Sequence, residues 1–117
     1  MKIYVRDLRS LGMQLETILL LLIQKNSKKI LKIISNKLLN ENLTPCVHII
    51  EILDSSYLWD GEIVTEKEYK MTIKTHEENE KLIIDIIRDL HNYSVCEISK
   101  YPFSILNEDY KNWFNNY

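Results

Sequence analysis

Cys46 and His48 lie two residues apart in a segment of extended character running from about Pro45 to Leu58. On a strand, residues i and i+2 leave the same face, so this thiol and imidazole can converge. Thiolate plus imidazole is a donor pair suited to copper or zinc. Two donors do not complete a four-coordinate site, and the chain has no CxxC or HxxxH spacing. Any metal would therefore need His91, Cys96, Glu97 or a neighbouring subunit as well. The competing reading of Cys46, flanked by Pro45 and Val47, is a small buried hydrophobe.

Catalytic chemistry finds no comparable support. The chain has two glycines, no Gly-rich phosphate loop, no G-x-S-x-G elbow and no H-E-x-x-H. His76 stands beside Glu77 and Glu78 at a helix start, where carboxylates favour the helix dipole, and it needs no catalytic role. The expectation is a protein that is not an enzyme.

The elements that must position these residues follow from periodicity. Thr17 to Ile23 is a short, continuously apolar run, the pattern of a strand covered on both faces. Asn26-Ser27 can cap a helix with the stripe Ile30, Leu31, Ile34 and Leu38, opposed by Lys28, Lys29, Lys32, Ser35 and Asn36. Asp60-Gly61 is the strongest hairpin signal, and in the returning strand Tyr69, Met71 and Ile73 alternate with Lys70, Thr72 and Lys74. Thr75-x-x-Glu78 reads as a capping box. It precedes a helix with the stripe Ile83, Ile84, Ile86, Ile87 and Leu90, ending near His91-Asn92. A fourth strand fits Val95 to Ser104, and Asn107 can cap a short helix whose Tyr110, Trp113 and Phe114 dock back.

The order β-α-β-β-α-β plus a terminal helix predicts an α+β, ferredoxin-like split β-α-β fold with an antiparallel sheet. Two helices cover one face of such a sheet, yet Ile49, Ile50, Ile52 and Leu53 are apolar on both. Exposed apolar sheet is uncommon on a monomer, so a homo-oligomer is expected, unless a terminal segment folds under.

At 117 residues, 45% hydrophobic and 27% charged, the chain has room for one core. Residues 1–40 hold eight Lys/Arg against two acids, and residues 41–117 hold seven against fifteen. The lysine-rich stretch from Lys25 to Lys37 contains no aromatic, which argues against nucleic acid. The run Ile18 to Ile23 is too short to span a membrane and has no cleavage site after it. Two cysteines without a signal make no disulfide framework, so a cytoplasmic location with reduced thiols is expected. Met13 is an alternative start, and residues 1–16 read as an N-terminal extension that need not be native, ahead of a domain at 17–117.

Five segments then carry a family resemblance. Leu38 to Val47 looks like the segment L-x-E-x-L-A-A-C-V-N of the CutA, or divalent-cation tolerance, family. Ser56-Tyr57-Leu58-Trp59-Asp60-Gly61 resembles its S-x-Y-x-W-x-G hairpin, and Glu68 to Thr75 resembles its E-x-x-x-x-x-K-T strand end. His91 to Ile98 resembles H-P-Y-x-x-P-E-I, and Asp109 to Phe114 resembles the closing Y-x-x-W-hydrophobic motif. The resemblance implies a homotrimer with long hairpin strands pairing between subunits, an architecture similar to PII signalling proteins, and a link to copper and divalent-cation tolerance. Tyr57, Trp59, Lys74, Tyr93, Glu97 and Trp113 match motif positions; they would line an intersubunit cleft or simply hold subunits together.

Some members carry a cysteine late in the first strand and a His-His pair entering H-P-Y. Here those places are Ile23 and Leu90-His91, which leaves only His91 of that set. Asn92 and Cys96 replace the two prolines that stiffen that turn in the family. The resulting expectation is a trimeric, CutA-like protein that partners itself and requires no cofactor. It would bind copper or another divalent cation weakly through Cys46, His48, His91 or Glu97. The alternative is a PII-like trimeric small-molecule sensor or protein scaffold.

Overall fold

The computed structural model describes residues 17–25, 28–91 and 96–117. The cap expected at Asn26-Ser27, the extension at 1–16 and Tyr93 lie outside the described residues. Strand β1 spans Thr17–Lys25, helix α1 spans Lys28–Asn40, and the long strands β2 and β3 span Cys46–Trp59 and Glu62–His76. A 3-10 turn at Glu77–Asn79 leads into α2, Glu80–Leu90, followed by β4, Ile98–Pro102, and α3, Glu108–Asn115. The sheet order is β2-β3-β1-β4 with every pairing antiparallel, which is the ferredoxin-like arrangement with an added C-terminal helix.

Local sequence explains the two reversals that matter most. Asn42 takes φ 56°, and the N–H of Leu43 donates to the Leu38 carbonyl at 3.0 Å while that of Asn42 donates to Leu39 at 3.1 Å. These bonds close α1 in a Schellman motif, with Leu43 and Leu38 both buried beside each other in the core. Asp60 and Gly61 have φ of 50° and 78° between the paired Trp59 and Glu62, so the hairpin turns through two residues in the left-handed region. That twist matches the strands it joins, and Asp-Gly is the dipeptide that tolerates it.

The core forms between α1, α2 and one face of the sheet. Leu31, Ile34 and Leu38 of α1, Ile83 and Ile87 of α2, and Met71 and Ile73 of β3 are all fully buried. The spacing of three and four on the helices and two on the strand is the one expected from the apolar stripes. Ile84 and Leu90 are only half-buried, so the stripe of α2 is narrower than the sequence suggests.

Two features depart from expectation. Thr75 does not cap α2: it stays in β3, paired with Ile18, and its hydroxyl donates to the Leu43 carbonyl at 2.6 Å. Neither His76 nor Asn79 makes a side-chain cap bond either. The strand runs too far for a capping box, and Asn79 Nδ2 donates to the Leu43 carbonyl at 3.2 Å and to the Tyr117 hydroxyl at 2.9 Å. The fourth strand is Ile98–Pro102, so among the described residues Cys96, Glu97, Phe103 and Ser104 of the expected strand fall outside it, and Val95 lies outside the described residues.

The Tyr117 hydroxyl itself lies 3.3 Å from the Leu43 carbonyl, so the last residue of the chain is tied to the loop after α1. Replacing Tyr117 with Phe should lower stability by about 0.5–1.5 kcal/mol in chemical denaturation, because Asn79 and Leu43 keep each other as partners.

Helix α3 folds under the sheet, on the face away from α1 and α2. Phe114 is fully buried there, with ring centroids 5.0 Å from His76 and 6.0 Å from Phe103. The tail thus covers the His76 end of the second face, while Trp59 at the far end of that face is exposed.

Candidate functional site

The hairpin sets the geometry of every candidate residue. Among the described residues β1 pairs β3 from Glu68 to His76, and the stretch from Glu62 to Lys67 with its partner on β2 projects past β1 as a two-stranded arm. The molecule is 54 Å long against 29 and 24 Å in its other dimensions. A register shift between Ile52 and Ser55 puts one extra residue in β2. Before that bulge Cys46, His48, Ile50 and Ile52 stand opposite Lys74, Thr72, Lys70 and Glu68; after it Ser55, Tyr57 and Trp59 stand opposite Glu66, Val64 and Glu62. One extra residue restores the alternation after a bend, so Tyr57 and Trp59 share a face with Cys46 and His48.

Polar contacts hold the projecting arm in shape. Ser55 donates to Glu68, which is nearly buried, and the Tyr57 hydroxyl donates to Glu66 at 2.7 Å. Ser56 and Thr65 pair at 2.8 Å, and Lys67 bridges to Glu51 at 3.0 Å. The arm nevertheless exposes Leu58 by 73%, Ile63 by 78% and Trp59 by 55%, with Leu53 exposed as well.

Cys46 and His48 do converge: Sγ lies 3.6 Å from Nε2. Cys46 is half-buried and His48 exposed, on the strand that forms one edge of the sheet. His91 and Glu97 sit elsewhere. Glu97 precedes β4, at the opposite edge, three strand spacings or about 14 Å away. There its carboxylate accepts from Ser99 at 2.7 Å. His91 is the residue at which α2 ends, its N–H donating to the Ile87 carbonyl at 2.9 Å. Among the described residues no three His, Cys, Asp or Glu side chains gather around a point that could hold an ion. The donor set fits a borderline or soft divalent ion as a half-site of two, not as a complete cage.

Cys96 is partly packed against the core. Burial, and secondly the charge of Glu97, pushes its thiol above the ordinary value. Less thiolate at a given pH means slower alkylation. At mildly alkaline pH, Cys96 should react with iodoacetamide roughly three- to tenfold more slowly than after unfolding.

The aromatic candidates divide into two groups. Lys74 Nζ sits 5.5 Å from the Tyr110 ring centroid, and Tyr110 contacts Trp113 with centroids 5.4 Å apart. Tyr57 and Trp59 lie at the far end of the hairpin, about 33 and 40 Å along β3 from Lys74 at the usual strand rise. One copy of the chain therefore does not bring them together. Sequence reasoning missed Tyr110 as the partner of Lys74; its spacing of three before Trp113, on one helix face, was the available signal.

The fold and this arm define a class: a ferredoxin-like α+β domain with an over-long β2–β3 hairpin. The family model described as CutA1 divalent ion tolerance protein matches residues 19–117. The chain belongs to that family. It is 33% identical over 92 residues to the divalent-cation tolerance protein CutA of Thermus thermophilus, covering 79% of this chain and 89% of that one. It is 39% identical over 88 residues to the Thermotoga maritima protein of the same name, covering 75% and 85% respectively. The crystal structure of CutA1 from Oryza sativa superposes with a TM-score of 0.78 at 27% identity, covering 87% of this chain and 93% of that one. Among the described residues no helix is long and apolar enough to cross a membrane.

Proposed function

We propose that this chain is a non-enzymatic, cytoplasmic homotrimer that contributes to divalent-metal tolerance, copper included, by binding the ion weakly. The observation that carries the reading is the bare arm. The two-stranded arm exposes Leu58, Trp59 and Ile63 at its tip and Leu53 at the bulge, where a second copy can pair edges and bury apolar surface. Family membership supplies the link to divalent cations, and the Cys46–His48 pair supplies donors for one. An assembly in which the arm of one copy reaches the Lys74, Tyr110 and Trp113 end of the next would form a cleft between them. A cleft made that way favours a second reading, a PII-like trimeric small-molecule sensor or scaffold.

The test is tolerance in cells. Deleting the gene should sensitise growth to graded copper or zinc, and restoring it should return tolerance. Unchanged growth with a trimer whose melting temperature rises with metabolites would favour the sensor.

A further inference from the structure

The Cys46–His48 contact is more specific than a nearby pair of donors. In a tetrahedral site with metal–sulfur and metal–nitrogen bonds of about 2.3 and 2.0–2.1 Å, the sulfur and nitrogen are about 3.5–3.6 Å apart. A linear two-coordinate ion with the same bonds would hold them at about 4.3 Å. The observed separation of 3.6 Å equals a tetrahedral edge and is also the length of the S–H···N contact the two side chains make without an ion.

The first donor is fixed from below. The Thr44 hydroxyl, itself buried, accepts the Cys46 N–H at 3.2 Å and lies 2.5 Å from the Lys74 carbonyl, clamping the start of β2 onto β3. The second donor is reached from solvent, since His48 is exposed at the sheet edge. We propose that Cys46 Sγ and His48 Nε2 form a preset bidentate half-site for a borderline-soft, tetrahedral divalent ion of the zinc class. Water or a second copy fills the other two positions.

The inference deepens the metal-tolerance reading by naming the ion class and the donor atoms. Sulfur and imidazole select against magnesium and calcium, which take oxygen ligands. Binding is an exchange without redox change: the Cys46 S–H bond breaks, a metal–sulfur bond forms, and the proton passes to solvent. In the ion-free protein the same proton can lie in an S–H···N bond to His48, which the metal displaces.

Cobalt(II) is the probe. The full chain, reduced with a phosphine and kept anaerobic, should develop a near-ultraviolet thiolate-to-cobalt charge-transfer band. Visible bands of four-coordinate intensity should appear with it, saturating at no more than one ion per chain and bleaching with zinc(II). Cys46→Ser should abolish the charge-transfer band, and His48→Gln should weaken binding roughly tenfold or more. Cys96→Ser should leave both unchanged, and unfolding curves would check that each variant is folded. Weak six-coordinate spectra, no charge-transfer band, or a band that survives Cys46→Ser would overturn the half-site. Metal sensitivity of the gene deletion, measured separately, would still stand in that case and would send the ion to other residues.

Discussion

A chain carrying Leu58→Asp together with Ile63→Lys is expected to run at one-third the mass of the unaltered protein, 14.0 kDa instead of three times that. These two residues face each other across the hairpin and are among its most exposed apolar side chains. Opposite charges at paired positions support each other, so the hairpin itself should survive the change. What is lost is the apolar surface available to another copy. Full burial of a Leu or Ile contributes about 1.5–3 kcal/mol, and putting a charge in its place adds a desolvation cost, so a symmetric assembly loses several such contributions at once. A double variant that keeps the parental mass would show that the arm is not part of the contact.

The second large effect concerns the other end of the sheet. Phe114→Ala should cost about 3–5 kcal/mol, the range for removing a fully buried aromatic ring. Phe114 is packed by His76, Phe103, Tyr110 and Tyr117, and its removal opens the space between α3 and the sheet. Denaturant unfolding at fixed chain concentration, which keeps the assembly's contribution constant, would measure it. Trp113→Ala, one residue away but exposed by 53%, should change the stability of the single chain by no more than about 0.5 kcal/mol. A loss below about 1 kcal/mol for Phe114→Ala would mean that the tail is dispensable and that the second face is not covered by it.

Much of this was legible in the residues because it is local. The stripe Leu31, Ile34, Leu38 and the alternation of Met71 and Ile73 follow from helix and strand periods, and Asp60-Gly61 announces its own turn. The convergence of Cys46 and His48 also follows from strand pleating alone. What the sequence hid depends on partners distant along the chain. The motif Thr75-x-x-Glu78 has the spacing of a capping box, but pairing with β1 carries β3 past Thr75, and the Leu43 carbonyl, thirty-two residues earlier, takes its hydroxyl. The bulge between Ile52 and Ser55 has no glycine to mark it, and it decides which face Tyr57 and Trp59 join. The separation of Glu97 from Cys46 comes from strand order, since β2 and β4 are opposite edges although both ends of the motif set looked alike in sequence. The burial argument for the second face held two alternatives, a second copy or a folded-under tail. The fold supplies the tail at the His76 end of that face, and the exposed Leu58 and Ile63 of the hairpin lie on the opposite face, beyond the reach of α1 and α2.

Self-association through the hairpin is the claim on which the rest depends, because the cleft and any shared metal site need more than one copy. Light scattering coupled to size exclusion at micromolar chain concentration, with the full chain reduced, tests it most directly. The account predicts a single species near three times 14.0 kDa. A stable species at 14.0 kDa would contradict it.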